Sequence, residues 1–266
     1  MFRIKIIRIN IFRLRLKGEK NKKYSKDYFK IFCYHLKMVN KETLNQEFLK
    51  SIESEYIFGN APINRFIKNK KNGGINKKLI DLKSKIKSIE DCELKKFAKN
   101  MVFSDGNPNS QIMLVGEGPG EKEDEEGKPF VGDAGILLNK MLNAINIKRE
   151  NIYITNVVNY RPPNNRKPEI SEINRYSVFL REHISIINPK ILILMGSTAM
   201  EAIFGQKLKI SKERGKWKET IINQKTFLTI LTFHPAYLLR QPDQKKFSWE
   251  DLKNIRKKID ELKIKT

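Results

Sequence analysis

Three side chains that can take part in acid–base or hydrogen-bonding chemistry each accompany an apolar, strand-like run of the sequence. Glu117 lies in the glycine turn GEGPG, Asn156 lies in the run YITNVV, and His234 follows a run ending in Thr-Phe. A carboxylate and an imidazole can exchange protons, an amide offers both a donor and an acceptor, and glycines allow a ligand to approach backbone N–H groups. These three positions predict one cleft, provided that the fold brings the strand ends together.

The elements that would position these side chains alternate along the chain. Predicted strands cover 111–115, 152–158, 190–195 and 227–233, and predicted helices cover 134–146, 169–187, 197–204 and 246–264. Short apolar strands separated by helices are typical of an α/β fold, so we predict a three-layer α/β/α sandwich with a central parallel four-stranded sheet. In such sheets ligands bind beyond the carboxyl ends of the strands.

The chain divides into three regions by composition. Residues 1–37 are basic and without a clear period, and we expect a disordered extension or a segment upstream of a true start at Met38. Residues 38–83 predict a helical and linker region, because 59–80 is rich in lysine, glycine and asparagine. Residues 84–266 predict the main folded domain.

Charge and cysteine content limit the class of protein. The 53 Lys and Arg residues outnumber 30 Asp and Glu to give a net charge of +23, which favours a polyanion such as nucleic acid as partner. No apolar run approaches the roughly 20 residues of a membrane span. Two cysteines exclude a disulfide scaffold and predict a cytoplasmic, nucleoid-associated protein of bacterial type, although the basic start leaves organellar targeting open.

Five motifs, from about Cys92 to about Arg256, resemble the family 4 uracil-DNA glycosylases in their order and approximate spacing. They read VGEGPGEKED, GKPFVGDAG, YITNVV, RPPNNRKP and FHPAYLLR. The resemblance implies a monofunctional DNA glycosylase that flips uracil out of DNA and hydrolyses its N-glycosidic bond, initiating base excision repair. It also implies a monomer whose partner is uracil-containing DNA.

The resemblance implies a role for each side chain at the strand ends. An aromatic ring stacks on the flipped base, an amide reads its edge, and a histidine donates to uracil O2 as negative charge builds there. Carboxylates stabilise the cationic sugar or hold the attacking water. These roles assign catalysis to Glu117, Glu123 and His234, and uracil binding to Gly118, Phe130 and Asn156.

Residues around the cleft are expected to contact the DNA backbone or to fill the gap left by the base. The apolar stretch Tyr237–Leu239 is the predicted wedge. The predicted DNA-binding set is Arg161, Asn165, Arg166, Lys167, Arg214, Lys216, Tyr237, Leu238 and Arg240.

The chain departs from the family at its cofactor site. Family 4 enzymes typically hold an iron–sulfur cluster on four cysteines, and here the matching positions are Ile89, Cys92, Tyr160 and Tyr176. One thiolate cannot hold a cluster that needs four ligands. We therefore predict no cluster and no other cofactor, with the two tyrosines packing into the space.

Several alternatives stay open at this point. Activity on hypoxanthine or xanthine is one alternative. A catalytically silent DNA-binding relative is disfavoured, because Glu117, Glu123, Asn156 and His234 are all present. A relative that crosslinks to DNA through a histidine is disfavoured, because the loop 164–167 reads Asn-Asn-Arg-Lys. A nucleotide-binding enzyme using the glycine turn is disfavoured by the acidic residues that follow the turn.

Overall fold

The computed structural model describes residues 74–206 and 208–266. The extension at 1–37 and the region 38–73 lie outside the described residues. In the described part, no helix combines the length and apolar character needed to cross a membrane. The α-helices there are α1 (Ile75–Lys87), α2 (Glu93–Phe97), α3 (Glu121–Glu126), α4 (Asp133–Asn143), α5 (Ile170–Ile187), α6 (Gly196–Phe204), α7 (Ile210–Glu213), α8 (Pro235–Arg240) and α9 (Lys245–Glu261). The strands there are β1 (Asp105–Gly106), β2 (Ile112–Gly116), β3 (Tyr153–Asn156), β4 (Ile191–Met195), β5 (Trp217–Ile222) and β6 (Lys225–Thr232).

The strands form one six-stranded sheet in the order β1-β3-β2-β4-β6-β5. The four central strands are parallel, which confirms the predicted parallel core. The two edge strands, β1 and β5, pair antiparallel and were not predicted from the sequence. β1 has only two residues, and β5 is interrupted by Lys218, Glu219 and Thr220, so neither has the apolar run by which the central strands were found.

Helices cover both faces of the sheet, as the three-layer sandwich requires. Alternate residues of a strand point to opposite faces, so Met113 and Val115 join one apolar cluster while Ile112 and Leu114 join the other. The first cluster includes side chains of α1, α2, α5 and α6, and the second includes side chains of α4, α8 and α9.

Helix α1 moves the expected boundary of the folded domain. Leu79, Leu82 and Ile86 are buried in the same cluster as α5, so the packed domain includes residues from Ile75 onward rather than starting at residue 84. The many lysines of this segment suggested a linker, but they lie on the exposed face of an amphipathic helix.

The strand register brings the chemistry-bearing residues to one edge of the sheet. Gly116, at the end of β2, pairs with Asn156, at the end of β3. On the other side, Met195 at the end of β4 pairs with Thr232, two residues before His234. The carboxyl ends of the four parallel strands therefore open into one cleft, where the sequence predicted the site.

Candidate active site

A pocket of about 510 Å³ lies at the carboxyl ends of the parallel strands. A volume of this size suits a small organic ligand. Most of the predicted site residues line it, namely Glu117, Gly118, Glu123, Phe130, Asn156, Asn165, Arg166, His234, Tyr237 and Arg240.

The glycine at the end of β2 allows two functional side chains to meet. A Cβ on Gly116 would lie 2.4 Å from Oδ1 of Asn156 and 2.5 Å from the ring of Phe130. Real Cβ atoms do not approach other atoms so closely, so only glycine lets the amide and the ring lie together here. Gly118, predicted to bind uracil, lines the pocket and lies against Val158, where a Cβ would be 2.6 Å from a methyl carbon.

Phe130 forms the aromatic wall of the pocket. Its ring centroid lies 5.4 Å from that of His234, and the residue is buried. Its backbone has a φ of 55°, in the left-handed region that a bulky residue rarely adopts. Such a conformation costs about 1–3 kcal/mol and persists only where the surroundings enforce it.

Two buried polar atoms in the pocket have no hydrogen-bond partner among the described residues. They are Oδ1 of Asn156 and Nε2 of His234. A buried polar group without a partner is costly, so an unpaired acceptor and an unpaired ring nitrogen in one pocket indicate a ligand that completes their bonds.

The hydrogen bond at the other ring nitrogen fixes the tautomer of His234. The backbone N–H of Ala236 donates to Nδ1 of His234 over 3.2 Å. Nδ1 is therefore an acceptor, and the neutral ring carries its proton on Nε2. Burial, together with the nearby Arg240, lowers the pKa of His234 to about 4, so at neutral pH the ring is an uncharged donor facing the pocket.

Glu117 is half-buried and oriented by a hydroxyl that the sequence analysis missed. Oγ1 of Thr198, in the first turn of α6, donates to Oε2 of Glu117 over 2.5 Å. Thr198 follows the end of β4, which is the fourth strand end at the cleft. The sequence signal that could have indicated Thr198 is the pair of hydroxyl residues, Ser197 and Thr198, that closely follows a predicted strand.

Glu123 was predicted to be catalytic, but its carboxylate is occupied by backbone groups. Oε2 accepts from the N–H of Gly120 over 3.1 Å, and Oε1 accepts from Val131 and Gly132 over 2.9 and 2.8 Å. The side chain is buried and ties the glycine turn to the segment that carries Phe130. This geometry suits a positioning role more than contact with a water or a sugar.

Some of the predicted phosphate-binding side chains are bonded to other side chains of the protein, and others are exposed to solvent. In the loop beside the pocket, Arg161 donates to Asn165 over 2.8 Å, and Arg166 makes two hydrogen bonds to Glu172 of 2.8 and 2.7 Å. Lys167 also pairs with a carboxylate, that of Glu201 over 3.0 Å. Lys216 and Arg240 are exposed.

The expected phosphate contact at Arg214 needs correction. Its side chain is only 16% exposed and pairs with the buried carboxylate of Asp251. Its guanidinium also lies between the rings of Phe233 and Phe247, 5.4 and 5.3 Å from their centroids. Arg214 therefore links α9 to the strand end that carries His234, and most of its guanidinium is already engaged within the protein.

The structure shows which residue of the predicted wedge, Tyr237–Leu239, is exposed. Leu238 is 1% exposed and belongs to the core, whereas Leu239 is 43% exposed at the end of α8. Tyr237 is partly buried against the ring of Phe233 at 5.0 Å between centroids. The exposed apolar side chain next to the pocket is thus Leu239, because one helical turn buries its neighbour.

The four positions that match the cluster ligands lie in or against one apolar cluster of this chain. Sγ of Cys92 lies 3.3 Å from the hydroxyl of Tyr176, and Tyr160 and Ile89 pack in the same cluster. Burial and the contact with Cys92 raise the pKa of Tyr176, so this hydroxyl stays protonated. Within the described ranges no group of three or more His, Cys, Asp or Glu could hold a metal, and these four side chains do not fit a four-thiolate cluster.

Comparisons with known proteins place these features in a family. The family model of the Uracil DNA glycosylase superfamily matches residues 103–253. The chain is 43% identical over 183 residues to a type-4 uracil-DNA glycosylase of Sulfurisphaera tokodaii, a match that covers 66% of this chain and 82% of the relative. It is 44% identical over 157 residues to a type-4 uracil-DNA glycosylase of Thermotoga maritima, covering 59% of this chain and 80% of that relative.

Proposed function

The chain belongs to the uracil-DNA glycosylase superfamily, and from this premise we propose that it turns uracil out of DNA and hydrolyses the N-glycosidic bond. The observation that carries this proposal is the pair of unpartnered buried atoms, Oδ1 of Asn156 and Nε2 of His234. One is an acceptor and the other a donor, and uracil offers N3–H and O2 to match them.

Base recognition would rest on a ring face and a hydrogen-bonding edge. Phe130 stacks on the flipped base, while Asn156 accepts from N3–H and donates to O4. Cytosine presents a donor at N4 and an acceptor at N3, so the same amide would face two mismatched groups. Buried groups left unpaired give strong discrimination, which favours uracil over cytosine.

Bond cleavage would be assisted at both ends of the breaking bond. The electron pair of the C1′–N1 bond moves onto the uracil ring, and the growing charge at O2 is met by the Nε2–H of His234. The sugar becomes cationic, and Glu117, oriented by Thr198, stabilises it and receives a proton from the water that adds to C1′. The uracil anion takes up a proton from solvent, so the products are free uracil and an abasic site.

We further propose that this protein works without the iron–sulfur cluster typical of its family. The positions matched to the cluster ligands offer one thiol, and the hydroxyl of Tyr176 already contacts it. The purified protein should be colourless, and elemental analysis should find no stoichiometric iron. A brown protein with about four irons per chain, prepared without oxygen, would contradict this.

The activity itself is tested with a labelled oligonucleotide that contains one uracil, incubated with the full-length protein in excess EDTA. Strand breakage should appear only after alkali, which cuts at abasic sites. An intact strand after alkali would contradict the proposed activity, and breakage without alkali would contradict a monofunctional glycosylase.

A further inference from the structure

Arg149 lies outside every motif that suggested the function, yet it makes contacts in the segment that carries the stacking ring. It begins a short 3-10 turn, Arg149–Asn151, just before β3. Its Nη1 donates to the carbonyl oxygen of Phe130 over 3.0 Å, and its Nη2 donates to that of Pro129 over 2.6 Å. One guanidinium therefore holds two successive peptide groups of this segment.

The remaining donors of Arg149 are fixed by two side chains from other elements. Nε donates to the carboxylate of Asp105 over 2.9 Å, and Nη1 also donates to Oδ1 of Asn139 over 3.1 Å. Asp105 belongs to the two-residue edge strand β1, and Asn139 belongs to α4. The planar fork of the guanidinium is thus held in one orientation, which a lysine ammonium could not reproduce.

The opposite side of the same segment is held by Glu123. Its Oε1 accepts from the N–H groups of Val131 and Gly132, the two residues that follow Phe130. The carbonyls before and at the strained residue are held by a cation, and the N–H groups after it are held by an anion. Arg149 and Glu123 together enclose the one backbone position in the pocket where an aromatic residue has a positive φ.

Close packing leaves the strained segment little room to relax. A Cβ on Gly135, in α4, would lie 2.0 Å from the carbonyl oxygen of Phe130. The helix therefore passes directly against the carbonyl that Arg149 binds. Without the guanidinium, this carbonyl would lose its hydrogen-bond donor.

We propose that Arg149 is a positioning residue for uracil excision, acting with Glu123 to hold Phe130 in its left-handed conformation so that its ring faces the base. This inference rests on the proposed function, since the ring is expected to stack on uracil. Arg149 does not line the pocket and need not touch the substrate. On this proposal its effect on excision passes through the ring of Phe130.

A double-mutant cycle tests this route. Single-turnover excision of uracil is measured for the full-length wild type, Arg149→Ala, Phe130→Ala and the double variant. Misplacement of a positioning group by about 1 Å can cost about 10²-fold in rate, and we expect a loss of that order for Arg149→Ala. In the Phe130→Ala background, the same change should slow excision less than about twofold, because the ring through which it acts is absent.

A purely structural role would give a different result. If Arg149 only stabilises the fold, its removal should slow both backgrounds by the same factor, and that outcome would overturn the proposal. Excision by Arg149→Ala at the wild-type rate would also overturn it. Arg149→Lys keeps a charge opposite Asp105 but cannot reach both carbonyls, so the cycle is repeated with this variant if Arg149→Ala does not fold.

Arg256 provides the matched control. It is a partly exposed arginine that binds a carboxylate, Asp260, and a backbone carbonyl, that of Ile145, away from the pocket. Arg256→Ala should lower thermal stability while its folded fraction excises uracil at the wild-type rate. The two possible failures can be distinguished. If the wild type does not excise uracil, the proposed function is wrong. If the wild type excises uracil but the effects of the two substitutions are additive, only the role of Arg149 is wrong.

Discussion

At the scale of single residues, the imidazole of His234 is prepared for donation before any substrate arrives. The bond from Ala236 to Nδ1 leaves the proton on Nε2, and Nε2 has no partner among the described residues. A preorganised donor aimed at developing negative charge contributes more to the transition state than to the bound substrate.

His234→Ala should therefore slow excision strongly while weakening DNA binding little. Loss of one such donor typically costs about 10²–10³-fold in rate. Single-turnover rates and DNA dissociation constants measured on the same preparations separate the two effects. Nearly full turnover by the variant would mean that His234 has been assigned wrongly.

The protonation state of His234 gives a second prediction. Its pKa is lowered to about 4, so the ring remains neutral between pH 5 and 8 and its donor is unchanged over that range. The single-turnover rate should show no step near pH 6.5, the ordinary pKa of histidine. A step there in the wild type that disappears in His234→Gln would contradict the neutral-donor assignment.

Residue types and spacing predicted the candidate residues that line the pocket, but not the side chains that hold them in place. Glu117, Phe130, Asn156 and His234 were found because each stands in a motif at a predicted strand end or turn. Thr198 and Arg149 were not found, because their partners come from other elements and no local spacing reveals them. The exposure of Arg214 and Leu238 could not be predicted either, because it depends on how distant elements pack against them.

At the scale of elements, the turn between β2 and α3 determines whether the pocket can form. Gly116 pairs with Asn156 in the sheet and lies under the ring of Phe130. The absence of a side chain at this position is what lets the amide and the ring occupy one pocket.

Gly116→Ala should fold but lose most of its excision activity. The added Cβ would lie 2.4 Å from Oδ1 of Asn156, so the amide must move. We expect a loss of about 10²-fold, as for other displacements of a positioned group. Gly74→Ala is the control, because no heavy atom of residues 74–206 or 208–266 lies within 4 Å of a Cβ there. Equal rates for the two variants, with both folded by circular dichroism, would refute this account of the turn.

The elements that could be predicted from sequence were those with continuous apolar runs. The four parallel strands are buried on both faces, and such strands stand out as short apolar runs. β5 carries Lys218 and Glu219 on an edge, and β1 is too short to give a pattern. The glycine- and lysine-rich composition of 59–80 predicted a linker, and this range includes the start of helix α1.

At the scale of the whole molecule, two histidines with lowered pKa values couple folding to pH. His183 lies between the rings of Phe103 and Tyr153, and burial lowers its pKa to about 3. The pKa of His234 is lowered to about 4. Both rings stay neutral in the folded state at pH values where the unfolded chain binds protons.

Stability should consequently fall as the pH falls below about 6.5. Each histidine that is protonated only in the unfolded chain lowers the free energy of unfolding by about 1.4 kcal/mol per pH unit, until the folded pKa is reached. Urea unfolding at pH 7.5 and pH 5.0 measures this loss. His183→Gln should show a smaller loss than the wild type, and an unchanged loss would show that His183 does not contribute.

The central claim is that this molecule holds a pocket whose unpaired donor and acceptor select uracil. Its most direct test uses three DNA duplexes that differ only in carrying uracil, cytosine or thymine at one position. The free base released by the wild type and by Asn156→Ala is measured. We predict that the wild type releases uracil in large excess over cytosine and thymine, and that Asn156→Ala loses most of this release. No release of uracil by the wild type, or release of cytosine at a similar rate, would contradict the account.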